Sequence, residues 1–233
     1  MKNQYFGDVR DLFKYDLALE CLEAGMLHQF TLIPMLTPNE STPHGQRTNY
    51  KLAKAGKARV KLIRFLNHCI KKNTRSIFLL RDFFNQHHPN IIFNIHQPEP
   101  FFTQTSRENY FESISDEILV DAVILIDPDV GLTDSTGKTD DKHLRYKEAA
   151  AIYNKMGANS ILIIFQFIPR VKRNEFYLKI GRKLRAEVTL ERPVFYMSDN
   201  TVVFFIIVKT KLNETNELLT KYAKRYNLRV GRV

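Results

Sequence analysis

Short apolar runs alternate along this chain with segments of helical period. The runs at 30–36, 91–95, Ala122–Ile126, 160–167, 193–197 and Val202–Val208 are rich in β-branched and aromatic residues and bounded by Pro, Gly, Asp or Asn. Runs of this length and composition predict strands, and those apolar throughout predict strands buried on both faces. Pro34 falls inside the first run and implies an edge, a bulge or a strand end there. Between the runs, 12–25, 51–72, 75–86, 106–118, 143–156, 172–185 and 213–225 read as helices. Leu12, Leu19 and Leu22, then Leu62, Phe65, Leu66, Cys69 and Ile70, then Leu218, Leu219 and Tyr222 mark apolar faces. Ser198-Asp199-Asn200 joins the last two strands closely enough for a hairpin. Helices between buried strands require an α/β fold, a mostly parallel sheet with both faces covered, ending in an antiparallel hairpin.

The run that organises the rest is 121–132, DAVILIDPDVGL. Its apolar part stops at Asp127-Pro128-Asp129, and Gly131 follows. In open α/β sheets ligands bind past the carboxyl ends of the strands, so Asp127, Pro128 and Asp129 are the leading candidates for a site. Paired acids there can hold a divalent metal, orient an amine or accept hydrogen bonds from a base; the plain alternative is that they cap a turn. Gln166 interrupts the next buried strand near its end and is read as facing the same crevice, the alternative being a partner for loop backbone. Arg170, just beyond, is a candidate phosphate contact, and Lys142 and His143 open a helix in the neighbouring loop. Near the start of the chain Asp8, Lys14 and Tyr15 lie among Phe6 and Phe13. Such aromatics suit stacking on a base, and Lys14 a phosphate or cofactor; equally they belong to the core.

Composition adds a partner. The chain has 35 Lys and Arg against 25 Asp and Glu, a net charge of +10 over 233 residues, which favours a polyanion, RNA or DNA. Cys21 and Cys69 sit in apolar helical surroundings and read as reduced core thiols of a cytoplasmic protein. No signal peptide is evident and no apolar run is long enough to cross a bilayer. The length suits one domain, 1–233, with a basic helical insertion around 37–75. Within it, 37–50 is a polar loop suited to a ligand or lid, and Lys57, Arg59, Lys61, Arg64, Lys71 and Lys72 give a basic helix surface. His87, His88 and His96 lack the spacing of a zinc site, and no metal ligands are assigned. Asp140-Asp141-Lys142 after Pro128-Asp129 is similar to the acid-acid-lysine set of metal-dependent nucleases. That keeps an alternative open: a divalent-metal nuclease or phosphoesterase using Asp127, Asp129, Asp8 and Lys142 with Mg2+.

The pairing of 5–19, YFGDVRDLFKYDLAL, with 123–132, VILIDPDVGL, resembles the bacterial 23S rRNA adenine-N6 methyltransferase family of the RlmJ type. Gly7, Asp8, Lys14 and Tyr15 fall at places matching its opening motif, Tyr15 standing for a histidine. Asp127 and Pro128 match the start of its Asp-Pro-Pro-Tyr motif, with Asp129 and Val130 replacing the second proline and the aromatic. The chain is also similar to a group of small bacterial proteins opening Lys-Asn-Gln-Tyr-x-Gly-Asp. The resemblance implies a Rossmann-like three-layer sandwich of the S-adenosylmethionine-dependent methyltransferase type, with a seven-stranded sheet of order 3-2-1-4-5-7-6. It implies methyl transfer to adenine in nucleic acid, with Asp127, Pro128, Asp129 and Lys14 at the reacting centre. S-adenosylmethionine would be held by Asp8, Tyr15, Thr37, Asn39 and Gln166. Two departures stand out. No glycine follows the first strand before Gly45, where close backbone approach to the cofactor normally needs one; and base stacking must come from Phe102, Phe167 or Tyr5. A non-catalytic nucleic-acid-binding protein is therefore a further expectation.

Overall fold

A computed structural model describes residues 1–25, 27–41, 45–134, 141–188 and 191–233. Its helices are α1 (Val9–Gly25), α2 (Val60–Lys71), α3 (Leu80–His87), α4 (Arg107–Glu112), α5 (Tyr146–Lys155), α6 (Arg173–Glu187) and α7 (Leu212–Tyr226). Its strands are β1 (Gln29–Ile33), β2 (Ile92–Ile95), β3 (Ala122–Ile126), β4 (Gly131–Thr133), β5 (His143–Arg145), β6 (Ile161–Phe167), β7 (Phe195–Ser198), β8 (Val202–Val208) and β9 (Arg229–Arg232).

Seven strands form one sheet of order β2-β1-β3-β6-β8-β7-β9, and β4 pairs with β5 separately. β2, β1, β3 and β6 run parallel, whereas β8, β7 and β9 each pair antiparallel. The sheet is therefore mixed, half of its pairings antiparallel, where a mostly parallel one is expected from the sequence. The difference is β9, a short, charged edge strand with no apolar alternation to announce it. β8 matches its predicted bounds and is buried along its whole length, as a strand covered on both faces must be. The hairpin before it closes on Asp199, whose carboxylate accepts from the amides of Thr201 at 2.7 Å and Val202 at 3.0 Å, with Asn200 at φ +76°.

Successive strand residues point to opposite faces, and two cores result. Val123, Leu125, Ile163, Phe165, Phe204 and Ile206 pack beneath α1, α2, α3 and α7. Ile124, Ile126, Leu162, Ile164, Phe205 and Ile207 pack beneath α4, α5 and α6. Three layers follow. The predicted helix over 51–72 shortens to α2, preceded by a 3-10 turn at Tyr50–Leu52; Gly56, at φ +81°, breaks the path between them. The helix predicted over 106–118 divides into α4 and a 3-10 turn, Asp116–Leu119. β1 stops at Ile33, before Pro34, since proline has no amide for the ladder.

α1 is the unusual element. It is enclosed on nearly every side, so residues 11–19 are all buried, Asp11, Lys14 and Asp16 among them. Asp8 starts it, accepting from the amides of Arg10 at 2.8 Å and Asp11 at 3.1 Å. Asp16 is satisfied by the Tyr222 hydroxyl at 2.6 Å and by Arg59 at 2.7 Å. Arg59 also pairs with Glu20 and Glu23. It is thereby removed from the basic helix surface read from the sequence, while Lys61, Arg64 and Lys71 remain exposed.

Candidate functional site at the mouth of the middle strand

β1 and β3 are neighbours whose outgoing connections diverge: β1 leads through α2 and α3 to β2, and β3 through α5 to β6. Their carboxyl ends therefore leave a crevice at the sheet's switch point, where ligands of open α/β sheets gather. Asp127 occupies it. Its amide donates to Ile33 O at 2.9 Å and its side chain is fully buried. Asp127 Oδ2 accepts from Lys14 Nζ at 2.8 Å, and the same ammonium reaches Asp11 Oδ1 at 3.0 Å and lies 4.4 Å from the Phe165 ring centre. Asp127 Oδ1 is buried without a hydrogen-bond partner. A cavity of about 40 Å³ lies beside it, walled by Met1, Asp8, Asp11, Lys14, Asp129 and Phe167 among others.

One ammonium thus serves a cluster of buried carboxylates. Burial raises the Asp127 and Asp8 pKa values, outweighing the attraction of Lys14, and burial pushes Asp11 up to about 6 against the pull of Lys14. For Lys14 the balance is reversed: burial opposes its charge, but Asp11 and Asp127 outweigh burial and raise its pKa. The sum is consistent, because Lys14 gains from each acid around it while the acids share it, with lesser help from Arg10 at Asp8 and from the Met1 amine at Asp127. Below pH 6 native Asp11 holds a proton that the unfolded chain releases until about pH 4. Its contribution to stability is therefore present at acid pH and lost as pH rises through 6. The Asp11 side-chain carboxyl carbon should titrate by NMR with a midpoint near 6; a midpoint near 4 would mean that water reaches the cluster.

The remaining predicted residues are placed as follows. Pro128 is buried and ends β3's path. Asp129 turns to Lys2 Nζ at 3.2 Å instead of to Asp127's cavity partner Lys14. Thr37 accepts from Lys2 Nζ at 2.7 Å, and its amide donates to Met1 O at 2.8 Å. Asn39 accepts from the Gln4 amide at 3.1 Å. Glu40 bridges Lys2 at 3.3 Å and Lys142 at 2.9 Å. The loop after β1 is therefore fastened to the first residues of the chain, which fill the crevice. Gln166, read as facing the crevice, serves loop backbone: it accepts from Leu132 N at 2.7 Å and donates to Phe167 O at 2.8 Å. Tyr15, Phe6 and Phe13 are fully buried and so are core aromatics, not stacking platforms. Phe102 is likewise buried, against Tyr110, and His96 bonds Tyr110 O at 2.8 Å in the core. Asp140 lies outside the described residues.

S-adenosylmethionine does not fit this arrangement. A cavity of about 40 Å³ holds a few waters, whereas pockets for cofactors run to roughly 300–1,000 Å³. Of the residues assigned to the cofactor, Thr37, Asn39 and Gln166 have internal partners, Asp8 caps α1, and Tyr15 is enclosed in the core. A divalent metal finds no ready site either: among the described residues no three His, Cys, Asp or Glu side chains converge to hold one. Lys14 stands where a cation would neutralise Asp11 and Asp127.

Sequence reasoning missed the site's outer rim. Beyond Phe167 and Arg10, which also wall the small cavity, lies an open concavity of about 1020 Å³. Arg10, Arg47, Arg170, Lys172 and Arg173 line it, and no carboxylate does. Arg10 lies over the Phe167 ring, 5.0 Å from its centre. Of these residues only Arg170 and Phe167 are signalled in the sequence; Arg10 is one turn before Lys14, which is the clue that it emerges near the same site. Arg107, also unforeseen, braces the β4–β5 region by pairing with Glu148 at 2.6 Å and donating to His143 O.

Compared with family models, curated proteins and solved structures, the chain matches none. No helix among the described residues is long and apolar enough to cross a membrane.

Proposed function

We propose that this protein binds nucleic acid, RNA or DNA, on a methyltransferase-like scaffold, across the carboxyl edge of its sheet. The observation that carries the reading is the concavity beside Asp127: five cationic side chains line it with no acid among them. The pairing and exposure of those cations matter. Lys172 makes only a solvent-exposed pair with Glu175 at 3.2 Å, which is worth little, so its charge is available to a phosphate. The net charge of +10 adds long-range attraction. Binding to a labelled oligonucleotide should weaken steeply with salt, with a slope of about +2 to +3 in log Kd against log salt if three or four phosphates are neutralised. Replacing Arg170 and Arg173 together by Glu should flatten that slope and cut affinity at least about tenfold. Salt-independent binding, or none, overturns the reading.

A second reading, methyl transfer to adenine with S-adenosylmethionine, is favoured by one feature. Strands β2-β1-β3-β6-β8-β7 correspond to 2-1-4-5-7-6 of the methyltransferase order; among the described residues no strand lies beyond β2 in the place of that order's strand 3, and β9 is added at the opposite edge, beyond β7. Asp127 then ends the strand that bears the family's acid, and its free Oδ1 is an acceptor for an amine. This reading requires the first residues of the chain to leave the crevice. Calorimetry with S-adenosylhomocysteine decides it: micromolar binding that disappears in Asp127→Ala supports methyl transfer, and no heat at millimolar ligand excludes it. The metal-dependent nuclease keeps no geometric support of its own, since Asp129 is held by Lys2, away from Lys14.

A further inference from the structure

The basic concavity is asymmetric in a way that names its ligand more narrowly than nucleic acid. Its inner wall is aromatic. Phe167, at the end of β6, is 37% exposed, unusual for a phenylalanine in a strand whose other six residues are buried. Its backbone is fixed, the amide donating to Val130 O at 2.8 Å, so the ring is held out of the sheet by a rigid element. Arg10 covers one side of it at 5.0 Å. Arg10 Nε is buried with no hydrogen-bond partner, while Nη1 of the same guanidinium pairs with Asp8 Oδ2 at 3.9 Å. The outer wall is cationic: Arg47, Arg170, Lys172 and Arg173 are exposed. Asn200 also lines this concavity, and its Oδ1 is buried without a partner. A donor and an acceptor thus lack partners in the same hollow that carries the ring.

Phosphates along the rim and a flat apolar face inside describe the two halves of a nucleotide. In a duplex the base faces are covered by stacking and only edges are offered in the grooves. An aromatic ring on a strand, flanked by guanidinium groups, is instead the arrangement that receives unpaired bases, whose faces are free. We propose that the concavity is a site for single-stranded nucleic acid: one base stacks on Phe167 beside Arg10, its polar edge within reach of Arg10 Nε or Asn200 Oδ1, and the flanking phosphates lie against Arg170, Lys172 and Arg173. The inference rests on the nucleic-acid reading above and adds to it the strandedness and the stacking residue. An acidic peptide would use the cations but not the ring.

Fluorescence anisotropy tests it with a labelled strand of about 12 nucleotides, a length suited to one such site, as RNA and as DNA, against the same sequence annealed to its complement. The intact chain should bind the single strand at least about tenfold more tightly than the duplex. Phe167→Ala should lose about tenfold for the single strand and little for the duplex, since stacking on one aromatic is worth about that much; Phe167→Trp should restore or exceed the original affinity. Unchanged thermal melting of both variants excludes a folding defect. Equal affinity for strand and duplex, or a Phe167→Ala variant within twofold of the parent, overturns the single-strand site while leaving nucleic-acid binding in place. Binding of neither form overturns both. Competition by polyglutamate equal to that by unlabelled strand, at matched charge, also overturns the stacking site.

Discussion

Replacing Lys14 with methionine should cost about 3–5 kcal/mol of folding stability at pH 7, the usual consequence of removing one partner from a buried charge network. Methionine matches the length of the lysine stem and keeps the packing on Phe165, so the loss isolates the charge. Lys14 is 6% exposed and its acids Asp11 and Asp127 are 1% exposed, which leaves at most the few waters of the small cavity to replace the ammonium. The deficit should shrink as pH falls from 7 toward 5. Burial already raises the pKa of Asp127 and brings Asp11 to about 6, and without Lys14 both rise further, so mild acid neutralises what the lysine balanced. Adding Asp127→Asn to the Lys14→Met variant should recover part of the loss. Urea unfolding at the two pH values measures all three. A deficit under about 1 kcal/mol, unchanged with pH, would mean that these acids are protonated in the native state whether or not lysine is present.

Gly131→Ala should cost at least about 3 kcal/mol. Gly131 has φ +141°, where a side chain is strained by roughly 1–3 kcal/mol. A Cβ built there would stand 2.3 Å from the Gln166 carboxamide, a distance no real contact reaches. Gln166 cannot simply swing away, because Leu132 N and Phe167 O depend on it and stranding a buried amide adds about 1–3 kcal/mol. The clash and the strain can be separated. In the double variant with Gln166→Ala the clash disappears and the φ strain stays, so the two losses should combine to less than their sum. Strict additivity in thermal or urea unfolding would show that the loop relaxes without touching Gln166.

Where apolar runs are long and bounded by breakers, the sequence is enough to place an element: β3 and β8 lie at Ala122–Ile126 and Val202–Val208, as the run lengths require. β4, β5 and β9 escape such reading because three or four residues, several of them charged, carry no period. The site was legible in pieces. Asp127 and Lys14 each stand out alone, but they meet across 113 positions of sequence, and no local pattern encodes a contact of that range. One local signal does exist. α1 is apolar around most of its circumference, with Leu12, Phe13, Leu17, Leu19 and Leu22 spread over all sides, and a helix of that kind is enclosed. Its charged residues must then find partners inside the protein, which directs attention to Asp11, Lys14 and Asp16 together. The N-terminal residues' role in filling the crevice has no such signal, since their polar character fits an exposed segment equally well.

The two borders of the large sheet differ in how they meet other molecules in a crowded solution. β9 shows Arg229 and Arg232 to solvent, and mutual repulsion of like charges discourages another strand from annealing there. β2 has no such guard: its four residues contain no charge and Ile92 is 61% exposed. Self-association at high concentration will therefore begin along β2, and a lysine at position 92 is the economical way to keep concentrated samples dispersed.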